Sequence, residues 1–279
     1  SWICLEIYPP LGRSADELGA TLADELRPGL RHVGLAVEDW DRMRAHAVEC
    51  GRVLDQTPQP VSPGRVRTVI RLLEWLADDH FAFLGYQRFA VEGERFTPVE
   101  GSALGICRED LAVDFNAIAP GDDGRELLVV TKFPRRSPVH RPSYLDYLGV
   151  RVFDEAGHIV GEHRFLGLLA ATAYSESVDH IPGLAEKARE LEASIGFDPD
   201  SHGGHVVRQV VNTYPRDELF QAKVAELAPI VETVVNLQER RQVRLFVRAD
   251  RYGRFVSCTI YLPRDRYNTA VRTRIAQIL

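Results

Sequence analysis

Four apolar runs, rich in aromatic and aliphatic residues, follow one another through the middle of this chain, and they constrain its fold more than any other feature. They are FAFLGYQRFAV from Phe81, ELLVVTKF from Glu126, LGVRVF from Leu148 and HIVGEHRFLGLLA from His158, each with strand character. Consecutive strands joined by short connections pair antiparallel, because parallel pairing needs a long crossover. Asp154-Glu-Ala-Gly157 supplies a hairpin turn between the last two runs. Ahead of them, Ser62-Pro63 caps a helix through Leu76 that carries Val66, Val69, Ile70 and Leu73 on one face. One helix followed by a mostly antiparallel sheet predicts a compact α+β unit of sensor-like shape.

Helical patterns flank this unit. Ser1 to Tyr8 reads as the last strand of an incomplete domain, stopped by Pro9-Pro10. Ser14 and Glu17 have capping-box spacing, Leu18, Leu22 and Leu26 follow at helical intervals, and Pro28-Gly29 breaks the run. A second helix carries Val33, Val37, Trp40 and Met43 toward Cys50, and the three prolines of Thr57 to Gly64 mark a linker. After Ala173 helices return: Pro182 suits a first helical turn, Gly196 a stop, Pro215 a new start, and Pro229 is expected to divide the stretch that ends near Leu237. Beyond it, Val243, Leu245 and Val247 share one strand face, Val256, Cys258, Ile260 and Leu262 the next, with Asp250 to Gly253 turning between them. Asn268 or Thr269 then caps a helix carrying Val271, Ile275 and Ile278. Two strands and a helix cannot bury both layers alone, so this too reads as part of a domain, and the chain as a piece of a longer protein.

At 279 residues the chain exceeds one average domain, and its 45% hydrophobic content supports cores without covalent staples. Cys4, Cys50, Cys107 and Cys258 form no CxxC and sit among apolar neighbours, the pattern of reduced core thiols in a cytoplasmic protein. No apolar run is long enough for a transmembrane helix. The net charge of -6 is uneven: from Asn236 onward ten Arg face three acidic residues. Such asymmetry fits a nucleic-acid face, domains docking on one another, or a solvated Arg-rich surface.

Chemistry-bearing patterns are sparse. A dinucleotide turn needs G-x-G-x-x-G between a parallel strand and a helix, whereas Gly161 and Gly167 lie in a strand pattern and Gly203-Gly204 follows a helical one. His202 and His205, with Asp198 and Asp200 nearby, have metal-compatible spacing, but Ser201 in front of them reads as a helix cap. His163 falls on the sheet face opposite Glu162 and Arg164, which favours a structural hydrogen bond or ion pair over an acid/base role. Arg135, Arg136, His140 and Arg141 form a basic loop beside Tyr144 that reads first as a solvent-exposed connection, while its forked guanidinium groups also suit an anionic ligand or a carboxylate of another domain. Arg251 to Val256 departs from the RNA-binding sheet motif, and no nucleic-acid contact is expected. No catalytic, cofactor or metal residue is assigned.

RLLEWLADDHFAFLGYQRF from Arg71, SPVHRPSYLDYLGVRVFDEAGHIVGEHRFLGL from Ser137, GFDPDSHGG from Gly196, YPRDELFQ from Tyr214 and the stretch from Arg240 to Asn268 resemble, in this order, the large bacterial NAD-dependent glutamate dehydrogenases. The sequence departs from that pattern at His205 and in KFPRRSPV from Lys132. The resemblance implies an α+β, multi-domain N-terminal regulatory region: a PAS-like antiparallel sheet flanked by partial ACT-like (ferredoxin-like) modules and helical connectors. Residues 1–56 then end a first ACT-like module, 57–64 link, 65–172 form the PAS-like domain, 173–239 a helical connector, and 240–279 open a second ACT-like module. It implies a parent enzyme that oxidises L-glutamate with NAD, with no cofactor held in this segment. The implied partners are the catalytic domain downstream in the same chain, further copies in a homo-oligomer and an amino-acid effector, with a sensor module and an oligomerisation arm as alternative roles. It implies neither nucleic acid nor membrane as a partner.

Overall fold

Ser62 begins the central unit as its sequence predicts. In a computed structural model that describes residues 2–7, 37–93, 95–108, 126–138, 143–237, 242–251 and 255–278, its hydroxyl accepts the Arg65 amide at 3.4 Å. Helix α2 (Pro63–Trp75) follows, packed against α1 (Val37–Gln56), and the proline-rich stretch is the short connection between them. Met43, Ala47, Cys50 and Leu54 recur three or four residues apart on α1, which is why one face of that helix is buried. The turn Leu76–His80 then reverses the chain, with Asp79 left-handed at φ 60° and the His80 ring donating to the Trp75 carbonyl at 2.9 Å. The expected helix over Ser14 to Leu26, Val33, and the tip at Tyr252 to Arg254 lie outside the described residues.

The strand-like runs form one antiparallel sheet. Its strands are β2 (Phe81–Glu92), β3 (Arg95–Pro98), β4 (Leu104–Gly105), β5 (Leu128–Arg136), β6 (Tyr144–Phe153) and β7 (Ile159–Leu169). The order is β3-β2-β7-β6-β5, with β4 also paired to β2. Gly157, at φ 82°, closes the β6–β7 turn expected at Asp154 to Gly157.

A bulge between Phe83 and Gly85 decides what each face of this sheet carries. Strict alternation would send Phe81 and Phe83 to one side and Tyr86 to the other. With one extra residue inserted, all three join Leu148, Val150 and Phe165 on the helix-facing side, and Leu84 joins Tyr147, Leu166 and Leu168 on the opposite side. The helix-facing core is continuous with α1, α2 and the later helices.

Those helices are α3 (Ala171–Ser175), α4 (Leu184–Ile195), α5 (His202–Thr213), α6 (Arg216–Gln221) and α7 (Val224–Leu237). Gly196 ends α4 and Pro215 precedes α6, as expected. Two boundaries differ from the sequence reading. Pro182 lies before the Gly183 cap of α4, outside its first turn, because the Glu186 carboxylate accepts the Gly183 amide at 2.7 Å and sets the start there. Pro229 lies inside α7 and divides nothing; the break falls at Ala222, which is extended, and Glu226 accepts the Lys223 amide at 2.7 Å to open α7.

A second sheet joins the two ends of the chain. Strand β1 (Trp2–Ile7) pairs antiparallel with β9 (Val256–Tyr261), which pairs antiparallel with β8 (Arg244–Ala249). Helix α8 (Thr269–Ile278) is capped by Asn268, whose side-chain oxygen accepts the Val271 amide at 2.8 Å. Trp2 meets Tyr214 and Tyr261 edge-on, with ring centroids 4.7 and 4.9 Å away, and so seats this sheet on the helical layer.

Phe165 is fully buried where the sheet meets α1 and α2. Phe165→Ala is expected to lower the unfolding free energy by about 3–5 kcal/mol, read as a lower urea midpoint with an unchanged slope.

Candidate functional site

Helix α6 has only six residues, and three consecutive charged side chains at its start point about 100° apart, toward three different neighbours. The Arg216 guanidinium donates to the Glu176 carbonyl at 2.8 Å. The Asp217 carboxylate lies 3.2 Å from the Lys132 ammonium of β5 and accepts the Tyr174 hydroxyl of α3 at 3.2 Å. Glu218 accepts both arms of the Arg248 guanidinium of β8, at 2.9 and 3.0 Å. One short helix therefore ties the large sheet, the helical layer and the small sheet together.

The other end of α6 is held by a single side chain. Lys187, from α4, donates to the Leu219, Phe220 and Ala222 carbonyls at 2.6, 3.1 and 3.0 Å. An ammonium has three donors and no acceptor, so it matches three carbonyls at a helix C-terminus that lack intrahelical partners. Burial lowers the Lys187 pKa to about 8.

Lys132 also donates to Asp146 of β6 at 2.7 Å, and the other oxygen of Asp146 accepts the Leu169 amide at 2.8 Å. Burial raises the Asp146 carboxyl above its ordinary range, opposed by the Lys132 ammonium. On the sheet's other face, Glu162 sits directly opposite Arg151 in the β6–β7 register and pairs with it. Glu162 also accepts Arg164 Nε at 2.6 Å and the Tyr147 hydroxyl. The Arg164 guanidinium lies 3.8 Å from the centroid of the Phe89 ring and 5.1 Å from that of Phe96. A one-residue slip would take Glu162 and Arg164 to the wrong face, so this cluster fixes register.

The predicted basic loop is reached in part. Arg135 and Arg136 are the last residues of β5 and so belong to a strand end, with Arg136 opposite Tyr144 in the register and its guanidinium 5.1 Å from that ring's centroid. His140 and Arg141 lie outside the described residues. His202 and His205 are exposed on the first turn of α5, where Ser201 accepts the Gly204 amide at 3.1 Å. Gly204 is needed there because a Cβ would lie 2.3 Å from the Asp198 carbonyl oxygen. Among the described residues no three His, Cys, Asp or Glu side chains converge as a metal site.

His163 makes the structural hydrogen bond its position predicts, with Nδ1 2.7 Å from the Tyr86 hydroxyl. A cavity of about 20 Å³ beside it, lined by Cys50, Leu54, Gln59 and Phe153, has room for one water. Cys4, Cys50, Cys107 and Cys258 form no disulfide, and burial pushes the Cys50 and Cys107 thiols up to about 12. No described helix is long and apolar enough to cross a membrane.

Sequence reasoning did not single out Lys132, Asp146, Lys187, Asp217, Glu218 or Arg248. The available signal was local: Lys132 and Asp146 interrupt apolar strand runs, and YPRDELFQ places adjacent carboxylates on an otherwise buried element.

Lys187→Met leaves three carbonyls without their donor and is expected to cost at least about 2 kcal/mol of stability, measured by urea unfolding at pH 7. Burial lowers the His163 pKa from 6.5 to about 4. Between those values the unfolded chain binds a proton that the folded chain does not, so stability falls as pH drops from 6.5 toward 4. The full loss is about 3 kcal/mol at 1.36 kcal/mol per pKa unit. His163→Asn is expected to be less stable at pH 7 and to show a flatter profile across that window, in urea titrations at several pH values.

Two family models match this chain: "Glutamate dehydrogenase, helical motif 1" over residues 181–240 and "Glutamate dehydrogenase, ACT2 domain" over residues 244–279. The first covers α4 to α7, and the second covers β8, β9 and α8. NAD-specific glutamate dehydrogenases from Halomonas elongata and Pseudomonas aeruginosa are 36% and 38% identical to it, over 95% and 90% of this chain. That of Mycobacterium tuberculosis is 34% identical over 99% of the chain. The chain spans only 16–18% of the length of these relatives. Similarity along nearly the whole chain, with both family models in place, shows that it belongs to the family of NAD-specific glutamate dehydrogenases.

Proposed function

We propose that this chain is an N-terminal regulatory and assembly segment of a large cytoplasmic NAD-specific glutamate dehydrogenase, without catalytic activity of its own. In the parent enzyme L-glutamate, NAD and water would give 2-oxoglutarate, ammonia and NADH, through catalytic and NAD-binding residues further along the same polypeptide. The observation that carries this reading is the α6 node: buried charged groups join two sheets and a helical layer, where an enzyme would expose such groups to substrate. The relatives' names support the parent reaction, and the matched ACT2 domain supports a regulatory role.

We divide the segment into residues 1–56, the end of a first ACT-like module with helices; 57–64, a linker; 65–172, a PAS-like domain; 173–239, a helical connector; and 240–279, the start of a second ACT-like module. The first and last of these share the sheet β1-β9-β8. The partners in this reading are the downstream catalytic domain and further copies of the chain, with neither nucleic acid nor membrane involved. The tip of the β5–β6 hairpin is the contact point for a carboxylate, from an amino-acid effector or from another domain. Arg135, Arg136, His140, Arg141 and Tyr144 would hold it, and the stacking of Arg136 on Tyr144 supports this by pre-setting one guanidinium.

Residues 1–279 alone are expected to produce no NADH from glutamate and NAD above the blank, and clear turnover would contradict the proposal. In the parent enzyme, Arg135→Ala with Arg136→Ala is expected to change the response to amino acids or the subunit assembly, with kcat retained. A kcat loss with assembly and effector response intact would place the tip in catalysis instead.

A further inference from the structure

Glu176, directly after α3, carries two contacts that belong to different parts of the fold. Its carboxylate oxygen Oε2 accepts Trp75 Nε1 at 3.1 Å and lies 3.3 Å from His80 Nε2. Its backbone carbonyl accepts the Arg216 guanidinium of α6 at 2.8 Å. The Trp75 and His80 rings stack with centroids 4.2 Å apart, which is why both nitrogens reach one oxygen. That grip is complete only when His80 is protonated. His80 Nδ1 lies 2.9 Å from the Trp75 carbonyl, an acceptor only, so Nδ1 carries a proton in both forms of the ring. In the neutral ring Nε2 therefore turns a lone pair toward a carboxylate, and no hydrogen lies between them. In the imidazolium Nε2 donates, and the two charges attract. Imidazole is the side chain whose charge changes between about pH 5 and 8.

Arg216 offers the same carboxylate a second place. It is 5% exposed, and its Nε and Nη1 are buried without a hydrogen-bond partner among the described residues. Burial pulls its pKa down. A buried guanidinium held by one neutral carbonyl is costly, and a carboxylate relieves that cost. Arg216 already touches the Glu176 backbone, so rotation of the Glu176 side chain between its staggered wells brings the carboxylate to the guanidinium. The other charged groups near the two positions are engaged elsewhere or exposed. Arg44 of α1 lies 3.4 Å from Asp79, Asp78 beside it is exposed, and Asp217 of α6 meets Lys132 and the Tyr174 hydroxyl. We propose that Glu176 is a two-position switch set by the His80 proton. With the ring charged, Trp75 and His80 clamp the carboxylate; with the ring neutral, the carboxylate turns to Arg216. The switch joins the turn after α2 to α6, the helix that ties the two sheets together.

Crystal structures of the 279-residue chain at pH 5.5 and pH 8.5 test the two positions without any substitution. The Glu176 carboxylate is expected within hydrogen-bond distance of Trp75 Nε1 and His80 Nε2 at the lower pH, and of the Arg216 guanidinium at the higher. The same position at both would overturn the proposal. In solution, ¹⁵N-labelled tryptophan gives three indole signals, and the loss of one in Trp75→Phe assigns the reporter. The Trp75 indole proton is expected to move upfield in one sigmoidal step as the pH rises, because it loses a charged acceptor. His80→Gln is expected to shrink the step at least fivefold. Arg216→Gln keeps a donor for the Glu176 carbonyl and removes the second place, so it is expected to shrink the step at least twofold. A step of unchanged size in either variant, or no step in the unsubstituted chain, would overturn the proposal as well.

Discussion

The structure depends on one short helix whose charged residues are held by other elements of the fold. Asp217, Glu218 and Arg216 leave α6 in three directions, and each finds its partner on a different layer. Six residues are too few to be stable as an isolated helix. The helix therefore persists because Lys187 holds its last carbonyls and Leu219 is buried beneath it. In return it positions the carboxylates that meet Lys132 and Arg248. Buried ion pairs add little stability compared with apolar substitutes, yet losing one partner is costly. Their consequence here is specificity of docking: an apolar contact tolerates sliding, while a two-pronged Arg248 to Glu218 pair fixes one orientation.

The large sheet solves a related problem on its two faces in different ways. Its helix-facing side is mainly apolar, with the Lys132–Asp146 pair and His163 as its polar groups, and the bulge at Leu84 keeps Phe81, Phe83 and Tyr86 together there. Its other side buries Glu162 between Arg151 and Arg164, with aromatic rings around the guanidinium of Arg164. Lys132 and Asp146 sit near the β5 edge of the sheet, where α6 arrives, so the charged contacts mark where the helical layer must dock.

Much of this was legible in the sequence. The alternation of the strand runs, the Ser62 and Ser201 caps, the Gly157 turn and the face occupied by His163 all follow from local chemistry and appear in the structure. Pro229 misled because a proline removes only one hydrogen bond and lies early in α7, while the real break is set by Ala222, Lys223 and a side chain from α4. The pairing of β1 with β9 was invisible, since no local signal links residues about 250 positions apart in sequence. The α6 node was missed for the same reason: its residues come from β5, β6, α3, α4, α6 and β8, and no spacing rule relates them. The loop expected at Arg135 and Arg136 is a strand end because their pattern continues ELLVVTKF for three more residues.

Helix α6 couples the small sheet to the rest through the Arg248 to Glu218 pair. A double-mutant cycle with Glu218→Gln and Arg248→Met, followed by urea unfolding, tests it directly. A coupling energy of about 1.5 kcal/mol or more is expected between the two positions. Additivity within about 0.5 kcal/mol would show that the pair does not act as a unit and that α6 does not couple the small sheet to the rest through it.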